Sequence, residues 1–162
     1  MKLSLLLAAA LSMALGLPSL GAGLASVRGL ETNRVTLQSA EFSSRTNNEN
    51  KDKDTGVYVY VYTRDGGTLL AQIENADNSD KDATEYNNGS DHTIKLTVLS
   101  PGSTRDACAG FKVKVKSKAN GNDKWQFNAR VTLYFNDGTN LSKGKDGIEL
   151  NSRGSNFVED NF

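Results

Sequence analysis

The stretch Asn50–Tyr62 reads NKDKDTGVYVYVY, so a charged segment runs directly into a strict alternation of valine and tyrosine. Successive side chains of an extended strand point to opposite faces, so Val57, Val59 and Val61 share one face and the tyrosines share the other. Alternation of this kind is typical of a strand that buries one face. The aspartates precede the strand, which makes their loop a candidate site.

The same period of two recurs through most of the chain, whereas a helical period of three to four residues is hardly seen. Clusters of Gly, Asn, Asp and Ser separate the apolar runs, and the turns 64–67 and 136–139 each carry an Asp-Gly pair that suits a hairpin. The predicted strands are Arg34–Phe42, Val57–Thr63, Thr68–Glu74, His92–Leu99, Phe111–Lys118, Trp125–Phe135 and Ile148–Asn151. We therefore predict an all-β fold, an antiparallel β-sandwich of about eight strands. Residues 156–162 are expected to form a loosely held tail, with Phe157 and Phe162 able to dock on the sandwich.

The first residues have the composition of a secretory signal peptide. Lys2 is followed by a run without charge from Leu3 to Leu17, which is too short for a membrane helix, and small residues lead up to Ala25. We expect residues 1–25 to be a signal peptide and residues 26–162 a single domain. The expected location is secreted or extracellular, or periplasmic if the source is Gram-negative.

Charge and cysteine content restrict the classes of partner and of scaffold. Without Lys2, 19 − 1 = 18 basic side chains face 19 acidic ones, and this neutrality argues against binding of nucleic acid. Cys108 is the only cysteine, so the domain has no internal disulfide. We expect Cys108 to be a small residue in or near the core, the alternatives being a pairing with another chain or a reactive thiol.

Three polar loops, at residues 47–54, 75–82 and 119–123, suggest a metal site. Calcium takes oxygen ligands from carboxylates, amide side chains and backbone carbonyls, and these loops are rich in all three. If the loops meet at one end of the fold, a bound cation would relieve the repulsion among their aspartates, which are Asp52, Asp54, Asp77, Asp80 and Asp123. Loops of this composition are also common as merely solvated surface, and no local calcium-binding motif closes a site.

The order of these segments resembles the PLAT domain family, which includes the C-terminal domains of clostridial phospholipase C toxins. The resemblance covers residues 34–135 and rests on an acidic loop before a Tyr-rich strand, a "DG" hairpin, the sequence "EN" before an acidic loop, "NGSD" before a Thr-containing strand, and a late Asp before an aromatic residue. It implies a calcium-binding β-sandwich. Carried over from calcium-binding members, the ligands are Asn50, Asp52, Asp54, Glu74, Asn75, Asp77, Asn78, Asp80 and Asp123.

Two departures from the family pattern bear on this expectation. Several extra residues around Lys81–Glu85 leave the register of the second loop open. The late loop KANGND is polar, whereas membrane-seeking relatives present apolar side chains there. The sequence therefore argues against deep membrane insertion and favours contact with headgroups or with a protein.

A second candidate surface is formed by alternating side chains on two strands. The tyrosine face and the lysine row are candidate partner-binding residues, namely Tyr58, Tyr60, Tyr62, Lys112, Lys114 and Lys116. Tyrosine suits sugar stacking or a protein partner, and a lysine row can attract anionic headgroups. The competing interpretation is tyrosines packed beneath neighbouring segments and a solvated row of lysines.

No catalytic residue is predicted. Asp91 and His92 in the SDH sequence point to opposite faces of a strand, so sequence proximity does not make them a relay. The expected function is that of a secreted, non-enzymatic binding module with calcium-dependent binding of a lipid or membrane surface or of a protein. The alternative is a β-sandwich that recognises carbohydrate or a host protein, with structural calcium or none.

Overall fold

A computed structural model of the chain describes residues 34–76, 85–154 and 156–162. The predicted signal peptide, residues 1–25, lies outside the described residues. So do three of the predicted metal ligands, Asp77, Asn78 and Asp80.

Within these described ranges, eight antiparallel strands make up almost all of the regular structure. Their bounds are β1 Leu37–Thr46, β2 Gly56–Tyr62, β3 Leu69–Ala76, β4 Asp91–Val98, β5 Lys112–Lys118, β6 Asn122–Phe135, β7 Asn140–Arg153 and β8 Phe157–Asn161. One helical turn, α1 at Arg105–Cys108, begins at Thr104, whose hydroxyl accepts a hydrogen bond from the N–H of Ala107. The prediction of an all-β antiparallel fold is confirmed.

The strands form one sheet in the order β7-β6-β1-β4-β3-β2-β5-β8. The two strands that end this order also contact each other: Nζ of Lys145 on β7 lies 2.6 Å from Oδ1 of Asp160 on β8. Nζ of Lys143 donates a hydrogen bond to the backbone oxygen of Phe111, next to β5. The sheet is therefore nearly closed, and its apolar face lies inside.

The core follows the period of two read from the sequence. Val57, Val59 and Val61 are fully buried, whereas the tyrosines between them are half-buried on the outer face. Strand β6 alternates in the same way along its whole length and buries Trp125 and Phe127, among others. Side chains that alternate along a strand can bury one face completely and leave the other in water.

The end of the chain differs from the prediction. Residues 157–161 are not a loose tail but strand β8, which pairs with β5 from Lys114 to Lys118. Strand β7 is also longer than predicted, because residues 140–145 pair with β6 ahead of the apolar positions 148 and 150. Both segments are polar, and backbone hydrogen bonds to a neighbouring strand hold them. Apolar periodicity does not reveal such pairing.

No helix in the described part of the chain is long and apolar enough to cross a membrane.

Candidate functional site

The first and third polar loops meet at one end of the sheet. The backbone N–H of Asp52 donates a hydrogen bond to Oδ2 of Asp123, 3.2 Å away, although 71 residues separate the two in sequence. Backbone hydrogen bonds hold the first loop against β6, since Asn47 N–H donates to the oxygen of Gln126 and Gln126 N–H donates to the oxygen of Glu49. These contacts place Asp52 and Asp123 in the same polar cleft.

This acidic cleft has a volume of 270 Å³. It is lined by Asn48, Glu49, Asn50, Asp52, Asn88, Asn122, Asp123 and Lys124. Three of these residues, Asn50, Asp52 and Asp123, are ligands predicted from the sequence. The acidic cleft therefore unites two of the three predicted loops.

Negative charge accumulates around Asp52. Its pKa is raised above the ordinary value by burial first, and then by the nearby carboxylates of Asp123, Asp54 and Glu85, while Lys51 acts in the opposite direction. Like charges that approach each other in this way disfavour ionisation of the group between them. A cation bound at Asp52 would remove this cost.

Oxygen atoms without partners are buried beside the same carboxylates. Oδ1 of Asn50 is buried and has no hydrogen-bond partner among the described residues, while Nδ2 of the same amide donates to Oε1 of Glu85. The hydroxyls of Thr55 and Ser152 are unsatisfied as well, and Ser152 lies opposite Asp123 in the register of β6 and β7. A buried acceptor without a partner is costly, and a cation is one way to satisfy it.

Lys51 supplies a positive charge beneath the acidic cleft. Its side chain is fully buried, and Nζ donates to the backbone oxygens of Asp52 at 2.9 Å and of Thr55 at 3.1 Å. Nζ also lies 4.6 Å from the centroid of the Tyr86 ring. Carbonyl oxygens and an aromatic face are the groups that compensate a buried ammonium, so Lys51 fixes the backbone of the first loop.

An aromatic cluster connects the first loop to the strands of the sheet through Tyr86, which pairs with Lys51. The rings of Tyr86 and His92 stack with centroids 3.5 Å apart, and those of Trp125 and Phe127 stack at 3.7 Å. Trp125, which is buried, donates from Nε1 to the hydroxyl of Thr46 at 3.2 Å. The edge-to-face contact of Tyr86 with Trp125, at 5.7 Å, joins the two stacks, so these contacts connect β1, β4 and β6.

The start of the second loop lies at the same end of the sheet but makes different contacts. Oδ1 of Asn75 packs so closely on Gly56 that a Cβ added there would collide with it. Asn75 accepts a hydrogen bond from the hydroxyl of Tyr58, and Glu74 accepts one from the hydroxyl of Tyr60. These two predicted ligands thus accept hydrogen bonds from the tyrosine face.

Carboxylates alone do not complete a metal site in the described ranges. Over residues 34–76, 85–154 and 156–162, no three His, Cys, Asp or Glu side chains come close enough together to hold a metal ion. Calcium also accepts amide and backbone oxygens, which the acidic cleft offers through Asn50.

The predicted partner-binding face is partly covered. Lys114 on β5 forms an ion pair with Glu159 on β8 at 3.3 Å, and Nζ of Lys116 lies 4.0 Å from the centroid of the Phe157 ring. Phe157 also contacts Tyr58 edge to face, with centroids 5.0 Å apart. Phe157 itself is 45% exposed, so an apolar patch remains on this face.

Ser90 and His92 form a close pair. Their side chains lie on the same side of the chain, with Oγ of Ser90 2.9 Å from Nε2 of His92. Asp91 points to the other face, where Oδ2 accepts a hydrogen bond from Arg45 at 2.7 Å. Alternation accounts for both observations, because Asp91 points away from its neighbour His92, and Ser90, two residues before His92, lies on the same side as His92.

Sequence reasoning missed two residues of the site. Lys51 and Glu85 contact the predicted ligands, but neither was singled out. Lys51 stands in a run of alternating Lys and Asp in which nothing marks one lysine as buried. Glu85 ends the long polar segment. Its neighbour Tyr86 forms backbone hydrogen bonds with Lys51 in both directions, and only this pairing brings Glu85 to the cleft.

No protein-family model matches this chain, and no curated protein matches it either.

Proposed function

We propose that the chain is a non-enzymatic binding module whose acidic cleft takes a calcium ion. The observation that carries the proposal is the hydrogen bond from Asp52 N–H to Oδ2 of Asp123, which brings two oxygen-rich loops together. The buried Oδ1 of Asn50, which has no hydrogen-bond partner in the described part of the chain, supports it independently, because an amide oxygen is a calcium ligand. Asn50, Asp52 and Asp123 would bind the ion, with Asp54 nearby, and Asp77, Asn78 and Asp80 of the second loop complete the proposed set.

We propose further that the eight strands form a PLAT-like sandwich. Two four-stranded halves, β7-β6-β1-β4 and β3-β2-β5-β8, would form its layers. The join between the halves supports this division, since β3 and β4 pair only through Ala71 with Val98 and Gln72 with Thr97. Two packed layers, each with one solvent-exposed face, are consistent with the alternation of buried and exposed residues along the strands.

The proposed partner of the calcium-loaded module is an anionic lipid headgroup or an acidic protein surface. Phe157 starts β8 opposite Lys118, at the end of β5 that leads into loop 119–123. Nζ of Lys118 lies 5.0 Å and Nζ of Lys116 4.0 Å from the centroid of the Phe157 ring. An exposed aromatic ring flanked by ammonium groups suits an interface that is apolar and negatively charged.

Calorimetric titration of calcium into residues 26–162 tests the metal site. We expect heat of binding and a melting temperature that rises with calcium concentration, because a ligand that binds only the folded state stabilises it. Asp52→Asn and Asp123→Asn should each weaken the affinity by about tenfold or more, since ligand charge sets calcium affinity. Asp106→Asn, in α1 away from the cleft, is the matched control. Absence of both heat and stabilisation at millimolar calcium would overturn the proposal.

Co-sedimentation with vesicles separates the proposed partners. Binding that requires both calcium and anionic lipid supports the headgroup, and Phe157→Ala should weaken it. Calcium binding without any affinity for vesicles points instead to a protein partner.

A second candidate function is recognition of carbohydrate or of a host protein through the tyrosine face. The observation that favours it is the fixed position of two half-buried rings, because the hydroxyls of Tyr58 and Tyr60 are held by Asn75 and Glu74. Rigid aromatic side chains bind sugars and proteins with little loss of entropy. A glycan-binding screen in the presence of a calcium chelator tests this function separately from the first.

A further inference from the structure

A second cavity, of 410 Å³, opens at the opposite end of β2 from the acidic cleft. Strand β2 begins at Gly56, beside the first loop, and ends at Tyr62, which lines this cavity. The volume lies within the range of about 300–1,000 Å³ that is usual for sites of small organic molecules. The exposed walls are almost entirely carbon. Tyr62 and Phe162 supply apolar side chains to them, whereas the side chain of Val113 is buried in the core.

Three lysines, Lys112, Lys114 and Lys143, line the same cavity. A lysine places its aliphatic stem against apolar surface and keeps its ammonium group in water, so these residues can form an apolar wall with a positively charged rim. We call this site the lysine cavity. Its combination of carbon walls and cationic groups differs from the oxygen-rich acidic cleft.

The nearby acidic groups do not cancel this positive charge. Lys114 is paired with Glu159 at 3.3 Å, but their side chains are 34% and 43% exposed, and such ion pairs are weak. Lys143 donates one of the three N–H groups of its ammonium to the backbone oxygen of Phe111. Asp65 near Lys112 is already held by the hydroxyl of Thr63 and the N–H of Gly67. Three cations therefore face two carboxylates, of which Asp65 has other partners and Glu159 is only weakly paired with Lys114.

We propose that the lysine cavity binds a single-chain amphiphile that carries one carboxylate. The apolar body of the ligand lies against Tyr62, Phe162 and the aliphatic stems of the lysines, and its carboxylate lies among the lysine ammonium groups. Hydrogen bonds between an ammonium and a carboxylate are stronger than neutral ones, so charge selects the ligand while the apolar wall supplies the contact area. This site does not depend on the proposed calcium site, because it lies at the other end of β2.

Calorimetric titration with dodecanoate below its micelle concentration, with a calcium chelator present, tests the proposal. We expect saturable binding of one dodecanoate per chain and affinity for dodecanol that is lower by about tenfold or more. Amide resonances of Val113 and Phe162 should shift on titration, while those of Asn50 and Asp52 should not.

Charge-removing variants then test the role of the rim. The double variant Lys112→Gln/Lys114→Gln should lose dodecanoate affinity and approach the affinity for dodecanol. Lys53→Gln/Lys95→Gln, which removes two exposed lysines elsewhere, should bind dodecanoate normally. Thermal melting of both variants confirms that they are folded.

Three results would overturn the proposal. They are equal affinity for dodecanoate and dodecanol, unchanged affinity in the rim variant, and amide shifts spread over the surface without saturation. Failure of this test leaves the calcium titration unaffected, because the chelator removes the metal throughout.

Discussion

The ammonium group of Lys51 lies 4.6 Å from the centroid of the Tyr86 ring, in the interior of the protein. Between residues 51 and 86 the chain forms β2, β3 and a long polar segment, and backbone hydrogen bonds then bring the two residues together in both directions. Lys51 thereby holds the first polar loop through two carbonyl oxygens, those of Asp52 and Thr55. The position of the acidic cleft depends on this buried cation.

Lys51→Met should lower the free energy of unfolding by about 1–3 kcal/mol. The substitution keeps most of the side-chain volume but removes the Lys51 donor from two backbone oxygens, so that the oxygen of Asp52 keeps only the N–H of Thr55 as donor while the oxygen of Thr55 loses the donor shown for it. Buried acceptors without partners carry a cost of this size. Urea denaturation measures the change. Lys53→Met, at an exposed position two residues away, is the control and should have almost no effect.

Asp52→Asn should stabilise the calcium-free protein at neutral pH. The pKa of Asp52 is raised above 3.8 by burial and by neighbouring carboxylates, so the folded state binds this proton more tightly than the unfolded state does. Stability contributed by this group therefore falls as the pH rises above about 3.8. The gain from the substitution should vanish at pH values well below 3.8, and denaturation at several pH values tests this.

Asp65→Asn should have the opposite effect at neutral pH. The pKa of Asp65 is held below 3.8, mainly by the hydroxyl of Thr63 and then by the N–H of Gly67. Its stabilising contribution is present above the unfolded-state pKa and is lost as the pH falls through the lowered pKa of the folded state. The variant should be less stable than the parent at neutral pH and equally stable in strong acid. A stabilising effect at neutral pH would contradict this assignment.

Tyr60→Phe should reduce the loss of folding stability at alkaline pH. Burial first, and then Glu74, raise the pKa of Tyr60 from 10.0 to about 12. Because the unfolded chain ionises first, stability should fall between pH 10 and about 12 in the parent and less steeply in the variant. At neutral pH the lost hydrogen bond to Glu74 should cost about 1 kcal/mol. Tyrosinate absorbance and denaturation across this pH range measure both effects.

Asp160→Asn should loosen the contact between the two terminal strands. Asp160 accepts a hydrogen bond from Lys145 at 2.6 Å, and its side chain is only 23% exposed. Loss of the ion pair should cost up to about 1 kcal/mol and should speed amide hydrogen exchange in residues 157–161 more than elsewhere. Glu159→Gln, which alters a more exposed pair on the same strand, should have a smaller effect. Uniform exchange in both variants would show that the pair does not hold β8.

Some of the site was predictable because polar loops can be recognised from their amino-acid composition. Asp52 and Asp123 were selected from loop content and Asn50 from the family resemblance, and two of the three loops do meet. Their meeting depends on the register between β1 and β6, which places the residues that follow Thr46 beside Phe127 and Gln126. Such pairing between distant strands is not encoded in any local window.

The sequence by itself determined the all-β fold and the two distinct faces of its strands, since both follow from a period of two that any single strand displays. That the valine face of β2 is the fully buried one was decided by the tertiary structure. Only the tertiary structure decided that residues 157–161 form a strand, that Lys51 is buried, and that three lysines and Phe162 surround one cavity. The physical reason is that backbone pairing and charge burial are properties of neighbours in space. A polar segment such as β8 is ordered by the unpaired edge of β5, and a lysine is buried when carbonyls and a ring that compensate it lie within reach.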